Sequence, residues 1–163
     1  MINKTMQDAI NAQINKEMYS SYLYLAMAAH FEAATLPGFA HWMRTQSGEE
    51  TTHAMKFYDH LLERGGTVEF KEIAAPPSSW PSTLDLMREV LEHEQMITAS
   101  IYELYDTATA EKDYAAQVML QWFINEQVEE ERNAEEIVRQ MQRVEARETA
   151  VLMLDHRLSK RGE

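Results

Sequence analysis

The sequence predicts an all-α fold: a four-helix bundle with one long crossover loop and a short fifth helix at the C-terminal end. Three observations carry this. Only 5 Gly and 4 Pro occur, and all four prolines lie between Pro37 and Pro81, so residues 1–36 and 82–161 contain neither breaker. A sandwich or barrel needs turn residues about every dozen positions, which these stretches lack. Apolar residues recur at alternating spacings of three and four along four long segments, the period of an amphipathic helix. The links between those segments run short, long, short.

Each element follows from its own signals. A first helix is expected near 5–34, ended by Leu36-Pro37-Gly38. A second, near 38–64, stops at Arg64-Gly65-Gly66, a strong helix terminator. Residues 66–81, closing on Ala-Ala-Pro-Pro-Ser-Ser-Trp-Pro, form the long connection. It reaches roughly 50 Å when extended, longer than the second helix, so it can run the length of the bundle. The third helix is then expected to start parallel to the second. That third helix, near 82–111, has Ser82 or Thr83 as cap and Asp85 in its first turn. No Gly or Pro separates it from a fourth near 113–144. One unbroken helix from 82 to 144 would span about 95 Å, too long for a compact domain. Thr107, Thr109 and Asp113 are poor helix formers, and Asp113 is a plausible new cap. A fifth helix is expected near 147–160, making residues 1–163 one domain with the bundle at about 5–144.

The buried faces carry an unusual feature. The four stripes read Ile10, Ile14, Glu17, Ser21, Tyr24, Ala28, Phe31; Phe39, Met43, Gln46, Glu50, His53, Phe57, Leu61; Met87, Val90, Glu94, Ile97, Ile101, Leu104, Ala108; and Leu120, Phe123, Gln127, Glu130, Ala134, Ile137, Met141, Val144. Each is apolar at its ends and polar near its centre. Midpoints coincide in a bundle whichever way the helices run. Glu17, Glu50, His53, Glu94, Gln127 and Glu130 should therefore converge on one buried site.

One glutamate on an apolar face is usually a boundary residue reaching water, and one histidine there is usually a hydrogen-bonded core residue. Four glutamates at one level are different. Their charges in a dry core would be prohibitively costly without counter-charge, and no Lys or Arg lies in any stripe. Two divalent cations would balance four carboxylates. Carboxylates with one imidazole and one amide make a hard, mostly oxygen ligand set, suited to iron or manganese rather than structural zinc. One Glu from each of two helices combined with Glu-x-x-His motifs is the plan of di-iron carboxylate bundles, and Glu50-x-x-His53 supplies such a motif here.

Composition narrows the function further. The chain has 163 residues, 45% apolar and 26% charged, enough for a sizeable core. Formal net charge is −12, from 15 Lys+Arg against 27 Asp+Glu, so no nucleic-acid or membrane partner is expected. Cysteine is absent, which excludes disulfides, thiolate chemistry and Cys-ligated metal. Neither a leader segment nor a membrane span is read from the sequence, and a cytoplasmic location is expected.

At these residues the chain resembles the bacterial non-haem ferritins. The likeness runs through Asn15-Lys16-Glu17-Met18-Tyr19-Ser20-Ser21-Tyr22-Leu23-Tyr24, through Glu49-Glu50-x-x-His53-Ala54, and through Gln121-Trp122-Phe123-Ile124-Asn125-Glu126-Gln127-Val128-Glu129-Glu130. The resemblance implies a ferritin-like bundle that oxidises Fe(II) with dioxygen or hydrogen peroxide. It then stores ferric oxide in a hollow homo-oligomeric shell of twenty-four subunits. It implies a first iron on Glu17, Glu50 and His53, and a second on Glu50, Glu94 and Glu130 with Gln127 beside it. It implies an accessory iron site at Glu49, Glu126 and Glu129, sharing Glu130; the same acidic run also reads as a solvated face. Tyr24 becomes a redox-active tyrosine, or simply a core tyrosine with a bonded hydroxyl. Trp122 supplies a further electron or only packing. The fourth helix reads Gln127-x-x-Glu130 where bacterioferritins and rubrerythrins repeat Glu-x-x-His, so the second iron should be held more loosely. Thr52 stands where bacterioferritins place their haem-binding Met, so no haem is expected. Rubrerythrins add a Cys-ligated domain that this chain cannot form. Mini-ferritins that coat DNA often use basic tails, and this N-terminal segment is not basic.

Overall fold

The computed structural model describes residues 1–144 and 147–161. Five helices follow in order: α1 Lys4–Ala33, α2 Pro37–Glu63, α3 Thr83–Ala110, α4 Tyr114–Arg143 and α5 Glu148–Leu158. Each lies within about two residues of its expected place.

The helix ends explain why the chain turns where it does. Asn3, Ser82 and Asp113 cap α1, α3 and α4, their side chains accepting from the backbone N–H of Met6, Asp85 and Ala116. Pro37 opens α2, where its missing N–H costs nothing. Gly65, at φ +73°, closes α2, with Gly66 N–H donating to the Leu61 carbonyl at 2.9 Å. The other two breaks use the same backbone geometry without glycine. Thr35 (φ 59°) and Lys112 (φ 54°) are left-handed, and the next N–H of each reaches back to Phe31 and Ala108 at 2.9 and 2.8 Å. Lys112 followed by the Asp113 cap is what separates α3 from α4. Asp113 also accepts both arms of the Arg64 guanidinium, at 2.8 and 3.0 Å, pinning the end of α2 to the start of α4.

Two apolar clusters fix the topology. One gathers Ile10 and Ile14 from early α1, Phe57 and Leu61 from late α2, Ile101 and Leu104 from late α3, and Leu120 and Phe123 from early α4. The other gathers Met27 and Phe31, Phe39 and Met43, Met87 and Val90, and Ile137 and Met141 from the opposite ends, with Trp80, Leu154 and Leu158. So α2 and α3 run in one direction and α1 and α4 in the other, as the crossover requires. The loop is fastened along α1. Gln7 Oε1 accepts from Thr67 N–H, Asn11 exchanges hydrogen bonds with Thr67 and Glu69, and Asn15 donates to the Glu72 carbonyl. Trp80 ends the loop in the second cluster, its Nε1–H donating to Glu89 at 2.7 Å.

Two stripe positions differ from expectation. Ser21 is half-buried while Ser20 is fully buried, and Val144 is half-buried at the end of α4. Ser21 lies against α2, hydrogen-bonding Ser47 and Thr51, whereas Ser20 faces His93 of α3. In the first cluster Phe57 and Phe123 stack with centroids 4.0 Å apart, and losing either ring would cost about 3–5 kcal/mol. Between the clusters lies the polar level.

Candidate metal centre

All six residues of the expected central site are buried: Glu17, Glu50, His53, Glu94, Gln127 and Glu130 are each at most 4% exposed. They come from all four helices. Glu50 and His53, one turn apart on α2, face each other with Oε2 and Nδ1 3.3 Å apart. Ligand atoms of Glu17, Glu50 and His53 lie within 4.8 Å of one another, forming the first of two candidate cation sites. Gln13, one turn before Glu17, donates to Glu17 Oε1 at 2.7 Å and accepts from Ser100 of α3. Glu17 Oε2 has no donor among the described residues to accept from, so a proton shared with Glu50 or a bound cation would satisfy it.

The second group combines His53, Glu126 and Glu130, again within 4.8 Å. Glu126 Oε1 is 3.9 Å from His53 Nε2, so the imidazole sits between two sets of carboxylates. Gln46 donates to Glu130 Oε2 at 2.9 Å. Glu94 is on the same level but occupied: the Tyr24 hydroxyl donates to its Oε1 and Gln127 Nε2 donates to its Oε2 at 3.1 Å. Gln127 also approaches Thr98, which donates to Glu131 near the surface.

Electrostatics agree with this crowding. Burial, then the charge of Glu50, pushes the Glu17 carboxyl well above the usual range. Burial and the neighbouring Glu94 do the same to Glu50, and raise Glu130 to about 7. Burial also raises Glu94, tempered by the hydrogen bonds from Tyr24 and Gln127. Burial and Glu94 hold the Tyr24 phenol well above its ordinary value, so it stays protonated. His93 meets the Tyr24 ring edge-on at 5.7 Å between centroids, bonds Ser20 Oγ at 2.7 Å, and is driven by burial to about 4, hence neutral.

The accessory residues are distributed differently. Glu126 joins His53 and Glu130, as above. Glu49 pairs with Arg161 at 2.7 Å, and Glu129, largely exposed, lies 3.7 Å from Arg132. Trp122 is partly exposed, its ring 5.5 Å from that of His53 and 4.1 Å from Lys56 Nζ. Thr52 is exposed, its hydroxyl bonded back to the Gly48 carbonyl.

Residues 7–144 match the ferritin-like domain family. The bacterial non-heme ferritin of Bacteroides fragilis is 42% identical over 161 residues, covering 99% of this chain and all of that one. That of Staphylococcus haemolyticus is 38% identical over 144 residues, 88% of this chain and 87% of the relative. The chain belongs to the ferritin family. Among solved structures, an open-pore ferritin from the hyperthermophilic archaeon Archaeoglobus fulgidus superposes with a TM-score of 0.97 at 46% identity, covering 99% of each chain. Iron storage is the function that this ferritin fold, the relatives and the carboxylate–imidazole cluster support together. No helix among its described residues is long and apolar enough to cross a membrane.

Sequence reading missed three supports of the ferritin's polar level. Gln46 stands in the α2 stripe one turn before Glu50, a position that could have marked it as a partner for a buried carboxylate. Gln13 stands one turn before Glu17 but off the stripe. Arg161 reaches Glu49 across 112 residues, and nothing local announces it.

Proposed function

We propose that the chain is a ferroxidase-bearing ferritin subunit that acts as one domain over residues 1–163. Two Fe(II) ions bind at the polar level, one on Glu17, Glu50 and His53, the other on Glu50, Glu94 and Glu130 with Gln127 beside it. The observation that carries this reading is the buried group of Glu17, Glu50 and His53 with its unpartnered Glu17 oxygen. The hard donor set and the crowding of four carboxyls with raised proton affinity suit divalent iron as substrate.

The protein's own groups supply order and protons. Gln13 orients Glu17, Gln46 orients Glu130, and Tyr24 with Gln127 holds Glu94, so the carboxylates are set before iron arrives. Iron binding displaces carboxyl protons. Two Fe(II) ions lose two electrons in all; dioxygen takes these with two protons and leaves as hydrogen peroxide, or hydrogen peroxide takes the two electrons and two protons and becomes two waters. Tyr24, bonded to Glu94, is the candidate redox-active tyrosine beside the centre. Ferric oxide then collects in a hollow homo-oligomer of twenty-four copies in the cytoplasm. The accessory residues Glu49, Glu126 and Glu129 hold iron in transit.

Aerobic Fe(II) titration with size-exclusion mass tests the whole reading. A storage shell takes up far more than two irons per chain. Uptake that stops at two would mean a catalytic di-iron enzyme instead, and no specific uptake would mean a structural bundle.

A further inference from the structure

Glu49 precedes the central ligand Glu50, and its partner is delivered from the far end of the chain. The delivery is built in stages. Asp155 of α5 accepts the Phe39 N–H at 2.8 Å, at the start of α2. Gly38 beside it has no room for a side chain: a Cβ there would lie 1.7 Å from the Asp155 carbonyl oxygen. The register of α5 on α2 is therefore set by that close approach. Beyond α5, His41 Nε2 lies 2.9 Å from the Arg161 carbonyl oxygen, anchoring the backbone. The guanidinium stacks over Trp42, with Cζ 4.7 Å from the ring centroid, and Nη2 donates to Glu49 Oε2 at 2.7 Å. Residues 38, 39, 41 and 42 thus all serve to aim one arginine at one carboxylate. The contact is not saturated, because the buried Nη1 has no acceptor among the described residues.

We propose that Arg161 is the resting counter-ion of the accessory cation site. Its guanidinium occupies Glu49, and a metal ion gains Glu49 alongside Glu126 and Glu130 only by displacing it. Arg161 is a positioning residue that keeps accessory binding weak, so that iron passes through rather than lodging there. This rests on the reading of Glu49, Glu126 and Glu129 as an accessory site. A planar, stacked guanidinium suits the task, since it stays charged at every working pH and is cheaper to desolvate than an ammonium. The unsatisfied Nη1 leaves the pair less than fully bonded and hence displaceable.

The test is anaerobic calorimetric titration of the apo protein with Zn(II), a redox-inert divalent probe. Wild type should show two tight equivalents and a weaker third. Arg161→Gln should tighten the third by about threefold or more, the scale of one partly exposed ion pair, and leave the first two unchanged. Arg161→Lys, which keeps the charge, should stay nearer wild type. With Glu49→Gln in the background, Arg161→Gln should no longer matter, an epistasis that a general loosening of α5 would not produce. A third equivalent unaffected or weakened by Arg161→Gln overturns the proposal. If that equivalent still vanishes in Glu126→Ala with Glu129→Ala, the accessory-site reading survives. Absence of any third equivalent in all backgrounds overturns both.

Discussion

Two neighbouring clusters of carboxylates on this bundle are made tolerable in opposite ways. Glu17, Glu50, Glu94 and Glu130 lie in a dry interior, where burial and mutual repulsion raise their affinity for protons. Glu49 and Glu129 lie toward the surface, and arginines are their partners. On the proposed ferroxidase reading, the difference sets what iron has to displace in each place. At the centre it would compete with protons, so affinity would rise with pH. At the edge it would compete with guanidinium groups, and the cost would be a broken ion pair.

The sharpest way to break this comparison is Glu50→Ala. Glu50 is the carboxylate assigned to both irons, so rapid Fe(II) oxidation should fall by at least about 100-fold, the upper end of what losing even a supporting partner costs. Helix content should persist, because Ala is the best helix former. Stopped-flow absorbance on mixing Fe(II) with aerobic protein decides it, and a near-wild-type rate would remove Glu50 from the centre.

The proton half of the comparison has a sign that can be checked. Glu130 rises from 4.5 to about 7 in the folded chain. Between those values the unfolded chain is ionised while the folded one keeps its proton, so this group's stabilisation is complete below 4.5 and is lost as pH rises to about 7. The full excursion corresponds to roughly 3 kcal/mol. The melting temperature of apo protein should therefore fall over this window relative to Glu130→Gln, whose amide cannot ionise. Anaerobic Zn(II) in weak buffer near pH 7 should release protons and raise the melting temperature, because the cation binds the native site and scarcely the unfolded chain. No proton release would place the carboxylates in water.

A smaller effect is expected at the edge. Glu126→Ala combined with Glu129→Ala should leave the first two-iron oxidation largely intact and slow later turnover by several-fold. Equal loss of the first fast phase, followed by stopped flow, would merge the two clusters into one working unit. Glu126 is the more informative half of the pair, since it lies 3.9 Å from His53 while Glu129 faces Arg132.

Much of this was legible before any coordinates. Period and breaker placement suffice for α1 to α5 because each long helix buries one continuous face. The polar level was legible because glutamates in apolar stripes have few explanations. Most of what escaped reading depends on partners distant in sequence, and the rest on local backbone geometry. Thr35 and Lys112 adopt left-handed backbone without being glycine, so composition does not mark those turns. The partners that hold Glu94 also come from elsewhere in the chain, Tyr24 on α1 and Gln127 on α4 each donating to one of its oxygens. Arg161 meets Glu49 across 112 residues, at the end of a helix that packs closely on Gly38.

The hairpin architecture also bears on how the chain folds. α1 packs chiefly on α2, and α3 on α4. Glu17 and Glu50 belong to the first hairpin, Glu94 and Glu130 to the second. Each hairpin is held largely by local contacts and can form early, as low contact order favours. Docking them then brings two pairs of acids together while the crossover must settle along α1. Where those acids are ionised, that late step works against charge repulsion, and an early-bound divalent cation or a lower pH relieves it. Refolding from denaturant should accordingly show a slow phase whose rate rises as pH falls toward the carboxyl range, with the hairpins' own helix formation indifferent to pH.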